Sequence, residues 1–186
     1  MKIILGSASP RRKELLSAAG FSFEVRTKDT DESFPSELPS DEVALFVASK
    51  KLEALIENLE DDTVLICADT TVVVDEVILN KPKDALDAKK MLQLLSGRSH
   101  KVITGVCLAS KQKSHSFSVV TTVLFKELSS DEIEYYIQEF KPFDKAGGYG
   151  IQEWIGHAAI VRIEGSYNNV VGLPTHEVYE ALRLFL

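Results

Sequence analysis

Lys2 to Leu5 is an apolar run of strand length, and the polar residues behind it open a helix. Ser9 takes the N-cap position, Pro10 the first helical position, and Gly20 stands past the end. Phe21 to Val25 alternates as a second strand does. From Arg26 to Pro39 the chain is polar and carries two prolines and several acids, a loop long enough to suspect a function. A long helix is predicted from Ser40 to about Leu59, with Leu52, Leu55, Ile56 and Leu59 at helical spacing. Val64 to Ala68 is a continuous apolar strand, and Thr71–Val74 and Val77–Leu79 flank Asp75-Glu76 as a hairpin does. Asp84 to Ser96 is helical, with Ala88, Met91, Leu92 and Leu95 on one face and Gly97 ending it.

Lys101–Ala109 and Phe117–Phe125 read as two long strands around a polar turn. Ser129 and Glu132 form a capping box, and Leu128 and Ile133 sit where a hydrophobic staple puts them, so a helix runs to about Phe140. Asp144 to Gln152 is glycine-rich, Ala158–Ile163 is a strand, and Thr175–Phe185 closes the chain as a helix with Val178, Leu182 and Phe185 inward. Strands and helices alternate, with hairpins mixed in. The fold class is therefore α/β (mixed α+β), built on a mixed sheet.

At 186 residues the chain predicts one domain over 1–186, at most two-lobed. Hydrophobic residues at 45% and charged residues at 26% exclude a disordered or low-complexity protein. No apolar run approaches the ~20 residues that cross a bilayer, and a short apolar patch followed by basic residues reverses the order of a secretory signal. A cytoplasmic protein is expected. Cys67 and Cys107 lie inside apolar runs and read as buried free thiols. The net charge of −7 argues against a general nucleic-acid binder. Any anion must then meet a local basic cluster, which makes the positions of the lysines and arginines informative.

One such cluster is Ser7-Ala8-Ser9-Pro10-Arg11-Arg12-Lys13, between a strand and a helix. Three cations in a first helical turn oppose the helix dipole. They make sense where hydroxyls, N–H groups and arginines converge on a polyanion; the alternative is a solvated basic face. Asp69, in Cys67-Ala68-Asp69-Thr70-Thr71 at the end of a predicted strand, could hold a metal or take a proton from water, or it could cap a loop. In Asn80-Lys81-Pro82-Lys83-Asp84, Lys81 is placed as a phosphate ligand, and Asp84 is either a site acid or the N-cap of the next helix. Of Lys50 and Lys51 one could reach a cleft, although solvent is the default for adjacent helical lysines. The glycines of residues 144–152 allow close backbone approach to a ligand, and the Gln152 amide offers a donor and an acceptor to a base edge. His100, His115, His157 and His176 show no metal spacing and are read as structural or surface residues.

Six stretches together resemble the Maf family of nucleotide pyrophosphatases: SASPRRKELL near the N-terminus, ADTTV at 68–72, NKPKD at 80–84, LSGRSHKVITGV at 95–106, DKAGGYGIQ at 144–152 and VVGLP at 170–174. They occur in the family's order and span nearly the whole chain. The resemblance implies an inosine triphosphatase-like (Maf/Ham1-like) fold with two lobes around a cleft. It implies hydrolysis of nucleoside triphosphates to the monophosphate and pyrophosphate with a divalent cation, Mg²⁺ or Mn²⁺. By that resemblance Asp69 falls on the catalytic base. Arg11, Thr70 and Gln152 fall on positions that mark the subgroup acting on dTTP and UTP. Ser7, from the residue reading, joins Arg12, Lys51 and Lys81 as phosphate-binding positions, and Glu32 falls, with Asp69, on an acidic metal position. Gly148 stands where alanine is usual, and Glu153-Trp154 follow Gln152 where a glycine is usual.

Attack of water at the α-phosphorus fits this set, because Arg and Lys neutralise the triphosphate and a carboxylate can orient or deprotonate the water. Asp69 fits the role of base and that of metal ligand alike. The expected partner is the nucleotide, with neither nucleic acid nor membrane, and a homodimer is left open. Two other functions are carried: a nucleotide-binding regulator of septum formation or division, and the same hydrolysis on another base such as 7-methyl-GTP.

Overall fold

The computed structural model describes residues 1–57 and 59–185. In chain order the elements are β1 (Lys2–Leu5), α1 (Pro10–Ala18), β2 (Glu24–Val25), α2 (Val43–Ile56), β3 (Thr63–Val74), β4 (Val77–Leu79), α3 (Ala85–Leu95), β5 (Ser99–Ala109), β6 (Ser114–Phe125), α4 (Ser130–Phe140), a 3₁₀ turn at Ala146–Gly148, α5 (Trp154–Ala158), β7 (Ile160–Glu164), α6 (Tyr167–Val171) and α7 (Thr175–Arg183). Among the described residues the strands follow the order β2-β1-β3-β5-β6-β7, with β4 on β3. β1 runs parallel to β2 and β3, whereas β4 and β7 pair antiparallel, so the sheet is mixed as expected.

The chain divides into two compact units, and β3, β5 and β6 contribute residues to both. The first unit comprises 1–70, 104–119 and 172–186. Its core joins Ile3, Leu5 and Leu16 to Val64, Ile66, Val106, Leu108, Val178 and Leu182, and a smaller cluster packs Leu55 and Leu59 of the α2 side on Ile4, Leu65 and Cys67. The second unit comprises 71–103 and 120–171, with a core of Val72, Leu92, Leu95, Phe125, Tyr136, Tyr149 and Ile155 among others.

The caps behave as their chemistry dictates. Ser9 accepts from the Arg12 N–H with Pro10 behind it, Asp84 accepts from the Asp87 N–H, and the Ser129/Glu132 box is complete in both directions. Cys67 and Cys107 are buried free thiols, as expected. Several boundaries differ. β2 keeps only Glu24 and Val25, the residues that find partners on Ile4 and Leu5. α2 starts at Val43 after Glu42 with no side-chain cap, not at Ser40, and ends at Ile56. The predicted strand over 158–163 begins later, because Trp154–Ala158 form α5.

α2 reaches its place through a glycine. A Cβ at Gly105 of β5 would lie 2.3 Å from the Leu45 backbone nitrogen and 2.4 Å from its Cα. The helix backbone thus rests directly on β5, less than two turns before Lys51. Gly105→Ala must push α2 away, and overpacking of this kind costs about 1–3 kcal/mol. The expected result is an unfolding midpoint lowered by roughly 5–10 °C, read by circular dichroism. An unchanged midpoint would mean that α2 does not approach β5 at this point.

Candidate active site

In the first unit the loop after β1 turns into α1 through two serines. The Ser7 hydroxyl accepts from the Ser9 N–H at 3.3 Å and from Arg12 Nη1 at 3.2 Å. The Arg12 side chain is fixed at two further points. Its Nε donates to the Gly172 carbonyl at 2.8 Å and its Nη2 to Thr70 Oγ1 at 3.0 Å. Burial pushes this guanidinium below the usual arginine range and Arg11 adds to the push, while Asp69 and Glu32 oppose it. The basic first turn of α1 is therefore not a solvated face at Arg12, which points inward.

Asp69 and Thr70 lie in the middle of β3, not at its end as the sequence suggested. The strand continues because Thr71–Val74 are strong β-formers and Val72–Val74 pair with β4. Ten of its twelve residues are buried, and Asp69 and Thr70 are the two that are only half-buried. Asp69 Oδ1 accepts from Lys51 Nζ at 2.6 Å, and the same ammonium lies 2.7 Å from Glu32 Oε1. Lys50, one residue earlier on α2, pairs instead with Asp31 at 3.2 Å and donates to the Ser33 carbonyl at 2.9 Å. The two adjacent lysines thus pin two adjacent acids of the 26–39 loop, and only Lys51 also reaches β3.

Lys81, Asp84 and Gln152 belong to the second unit. Asp84 Oδ1 caps α3, accepting from the Asp87 N–H at 2.8 Å. Lys81 and Gln152 are exposed. Their two segments meet: the Gly147 N–H donates to the Asn80 carbonyl at 3.2 Å, and Gly148 lies against Pro82. Gly148 has φ near 70°, a left-handed value that an alanine would adopt only with strain, and an added Cβ would come within 3.3 Å of Pro82 Cγ.

The other departure, Glu153-Trp154, anchors the same loop. Glu153 pairs with the buried Lys145 at 3.0 Å and accepts from the Tyr136 hydroxyl, which itself accepts from the Gly150 N–H at 2.9 Å. Trp154 stacks on Tyr136 and meets Tyr135 edge-on. Behind the loop, His100 Nε2 and the Tyr149 hydroxyl are 2.7 Å apart, and burial pushes His100 down to about 4, so it is neutral and structural. A separate surface groove of about 490 Å³ in the first unit, lined by His115, Phe117, His176 and Glu177 among others, contains none of these residues.

Three contributors escape a reading of the residues one by one: Gly105, Gly172 and Thr104. All three lie inside the VVGLP and ITGV stretches, so their motifs were visible and their jobs were not. Thr104 is fully buried, and its hydroxyl sits 2.9 Å from Thr70 Oγ1.

The mixed sheet thus holds, in its first unit, a fixed guanidinium and, within electrostatic reach of it, a paired carboxylate. The solved Ham1 protein of Staphylococcus aureus shares the fold, with a TM-score of 0.50 at 14% identity over 67% of this chain and 72% of that one. The chain belongs to the Maf family, whose model, described as Maf-like protein, matches residues 2–185. Among its curated relatives, a protein of Porphyromonas gingivalis (strain ATCC 33277) named dTTP/UTP pyrophosphatase is 49% identical over 99% of this chain and 94% of its own length. One of Phocaeicola vulgatus with the same name is 50% identical over 98% and 95%. Among the described residues no helix is long and apolar enough to cross a membrane.

Proposed function

We propose that the protein is a nucleoside triphosphate pyrophosphatase that hydrolyses dTTP and UTP to the monophosphate and pyrophosphate, a house-cleaning activity that limits incorporation of non-standard nucleotides. Its substrates set it in the cytoplasm. One observation carries the reading: two adjacent residues of β3 hold a carboxylate bound to Lys51 and a hydroxyl bound to Arg12. Asp69 also acts electrostatically on the Arg12 guanidinium, so a group able to activate water lies within electrostatic reach of a group able to hold phosphate. A pure nucleotide sensor has no need of the carboxylate, which weighs against the regulator of septum formation. The names of the curated relatives agree with the enzyme.

In this reading Ser7, Arg12 and Lys51 bind the phosphates, and Lys81 keeps the phosphate-binding role that the family resemblance gives it. Asp69 orients or deprotonates the attacking water. Arg11, Thr70 and Gln152 set base choice, because one amide can match the carbonyl and N–H that a thymine or uracil presents together.

The residues present fit a divalent cation, Mg²⁺ or Mn²⁺. Glu32 and Asp69 already converge on one cationic group, the Lys51 ammonium, at 2.7 and 2.6 Å. Among the described residues no cluster of three His, Cys, Asp or Glu side chains could hold a metal. Two carboxylates suit a hard cation that completes its shell with substrate phosphates and water. When bound, such a cation neutralises charge on the phosphate oxygens.

The test is hydrolysis of a nucleotide panel in ¹⁸O-labelled water. The expected outcome is pyrophosphate release from dTTP and UTP far faster than from ATP or GTP, with label in the monophosphate. Label only in pyrophosphate would place attack at the β-phosphorus, and orthophosphate as the first product would make the protein a γ-phosphatase. A preference for 7-methyl-GTP would keep the chemistry and overturn the base assignment.

A further inference from the structure

The Arg12 guanidinium has five N–H groups, and three of them are spent inside the protein, on Ser7 Oγ, Thr70 Oγ1 and the Gly172 carbonyl. Because Nε, Nη1 and Nη2 each give one bond, the plane of the group is fixed. One N–H remains on each terminal nitrogen. A planar pair of that kind matches two oxygens of one phosphate, and its affinity depends on the plane being held.

Thr70 is as fully engaged as Arg12. A hydroxyl has one proton and two lone pairs. Arg12 Nη2 takes one lone pair, Thr104 Oγ1 at 2.9 Å takes the proton or the other lone pair, and the Gly172 carbonyl lies 3.5 Å away on the donating side. Most of the hydrogen-bonding capacity of Thr70 is therefore directed at Arg12 and its supports. Thr104 lies directly behind it, fully buried on β5. A buried hydroxyl has no solvent to turn to, so the orientation of Thr70 follows that of Thr104.

We infer that Thr104 is a positioning residue for substrate: through Thr70 it holds the Arg12 guanidinium in the plane that receives the phosphate chain. This rests on Arg12 being a phosphate ligand, and the experiment tests the two claims separately.

Inorganic tripolyphosphate has phosphates and no base. Its binding, in the presence of Mg²⁺, is measured by calorimetry on the wild type, Arg12→Ala, Thr104→Val and Thr104→Ser. Arg12→Ala should weaken binding strongly. Thr104→Val keeps the shape and removes the hydroxyl, and should weaken binding by about threefold to tenfold, the worth of one hydrogen bond between neutral hydroxyls. It should raise KM for dTTP and UTP by the same factor and leave the ranking of dTTP, UTP and GTP unchanged. Thr104→Ser, which keeps the hydroxyl, should restore both. Thr104→Ala, which adds no bulk, replaces the valine variant if that one unfolds early. In the Arg12→Ala background Thr104→Val should have no further effect.

Weak tripolyphosphate binding in Arg12→Ala together with wild-type binding in Thr104→Val overturns the inference and leaves Arg12 a phosphate ligand. Wild-type binding in Arg12→Ala overturns both claims. A changed base ranking in Thr104→Val, with tripolyphosphate binding intact, assigns Thr104 to base choice and also overturns the inference.

Discussion

Asp69→Asn is expected to lower kcat for dTTP and UTP by about 10²-fold or more, the usual cost of losing a general base, and to leave KM within a small factor. The change is close to isosteric. The asparagine oxygen can still accept from Lys51 Nζ, and Lys51 keeps Glu32 as its counter-charge. The fold should therefore lose only about 1 kcal/mol, or about 2–4 °C in the unfolding midpoint. What disappears is the negative charge beside the attacking water, an interaction that matters most in the transition state. Steady-state kinetics with a thermal melt of the same sample separates lost chemistry from lost structure. Turnover near the wild-type value in a folded Asp69→Asn protein would remove Asp69 from the mechanism.

The position of Asp69 also shows where the sequence could be read and where it could not. The ends of α1, α3 and α4 follow from Ser9-Pro10, Asp84 and Ser129/Glu132, because capping is local chemistry that sequence spacing displays. The β3–β4 hairpin is equally local. The length of β3 is not: Asp69-Thr70 interrupts two apolar runs and looks like a strand end, yet the strand passes straight through. The break in the hydrophobic pattern is the candidate site itself, which is where local rules are expected to give way to function. α5 and α6 are five residues each, too short for a periodic pattern, and their formation depends on packing against the rest of the second unit.

Partnerships across long sequence separations are the other blind spot. Lys50 and Lys51 are indistinguishable by type, but neighbouring helical residues point about 100° apart, and only the fold says which one faces β3. Thr104 reads as one more β-branched residue in an apolar strand. Its hydroxyl acquires meaning only beside Thr70, 34 residues away, as Gly172 does beside Arg12, 160 residues away. The family motifs marked these stretches as special without giving their geometry.

Removal of divalent cations is expected to lower turnover strongly, and the charges of Glu32, Asp69 and Lys51 set the size of the effect. Glu32 and Asp69 carry two negative charges against the single positive charge of Lys51. A nucleoside triphosphate entering beside Asp69 adds further negative charge, only part of which Arg12 can offset. One uncompensated like-charge contact near 4 Å costs about 4 kcal/mol at an effective dielectric of about 20, and that corresponds to roughly 10³ in rate. Excess EDTA should therefore lower the rate by at least about 10²-fold, with recovery on adding Mg²⁺ or Mn²⁺. Glu32→Gln preserves the side-chain shape and removes one of the two carboxylate charges, so it should raise the Mn²⁺ concentration needed for half-maximal rate without changing the ranking of nucleotides. Undiminished activity in excess EDTA would defeat the cation requirement, and Lys51 and Arg12 would then have to balance the whole charge alone.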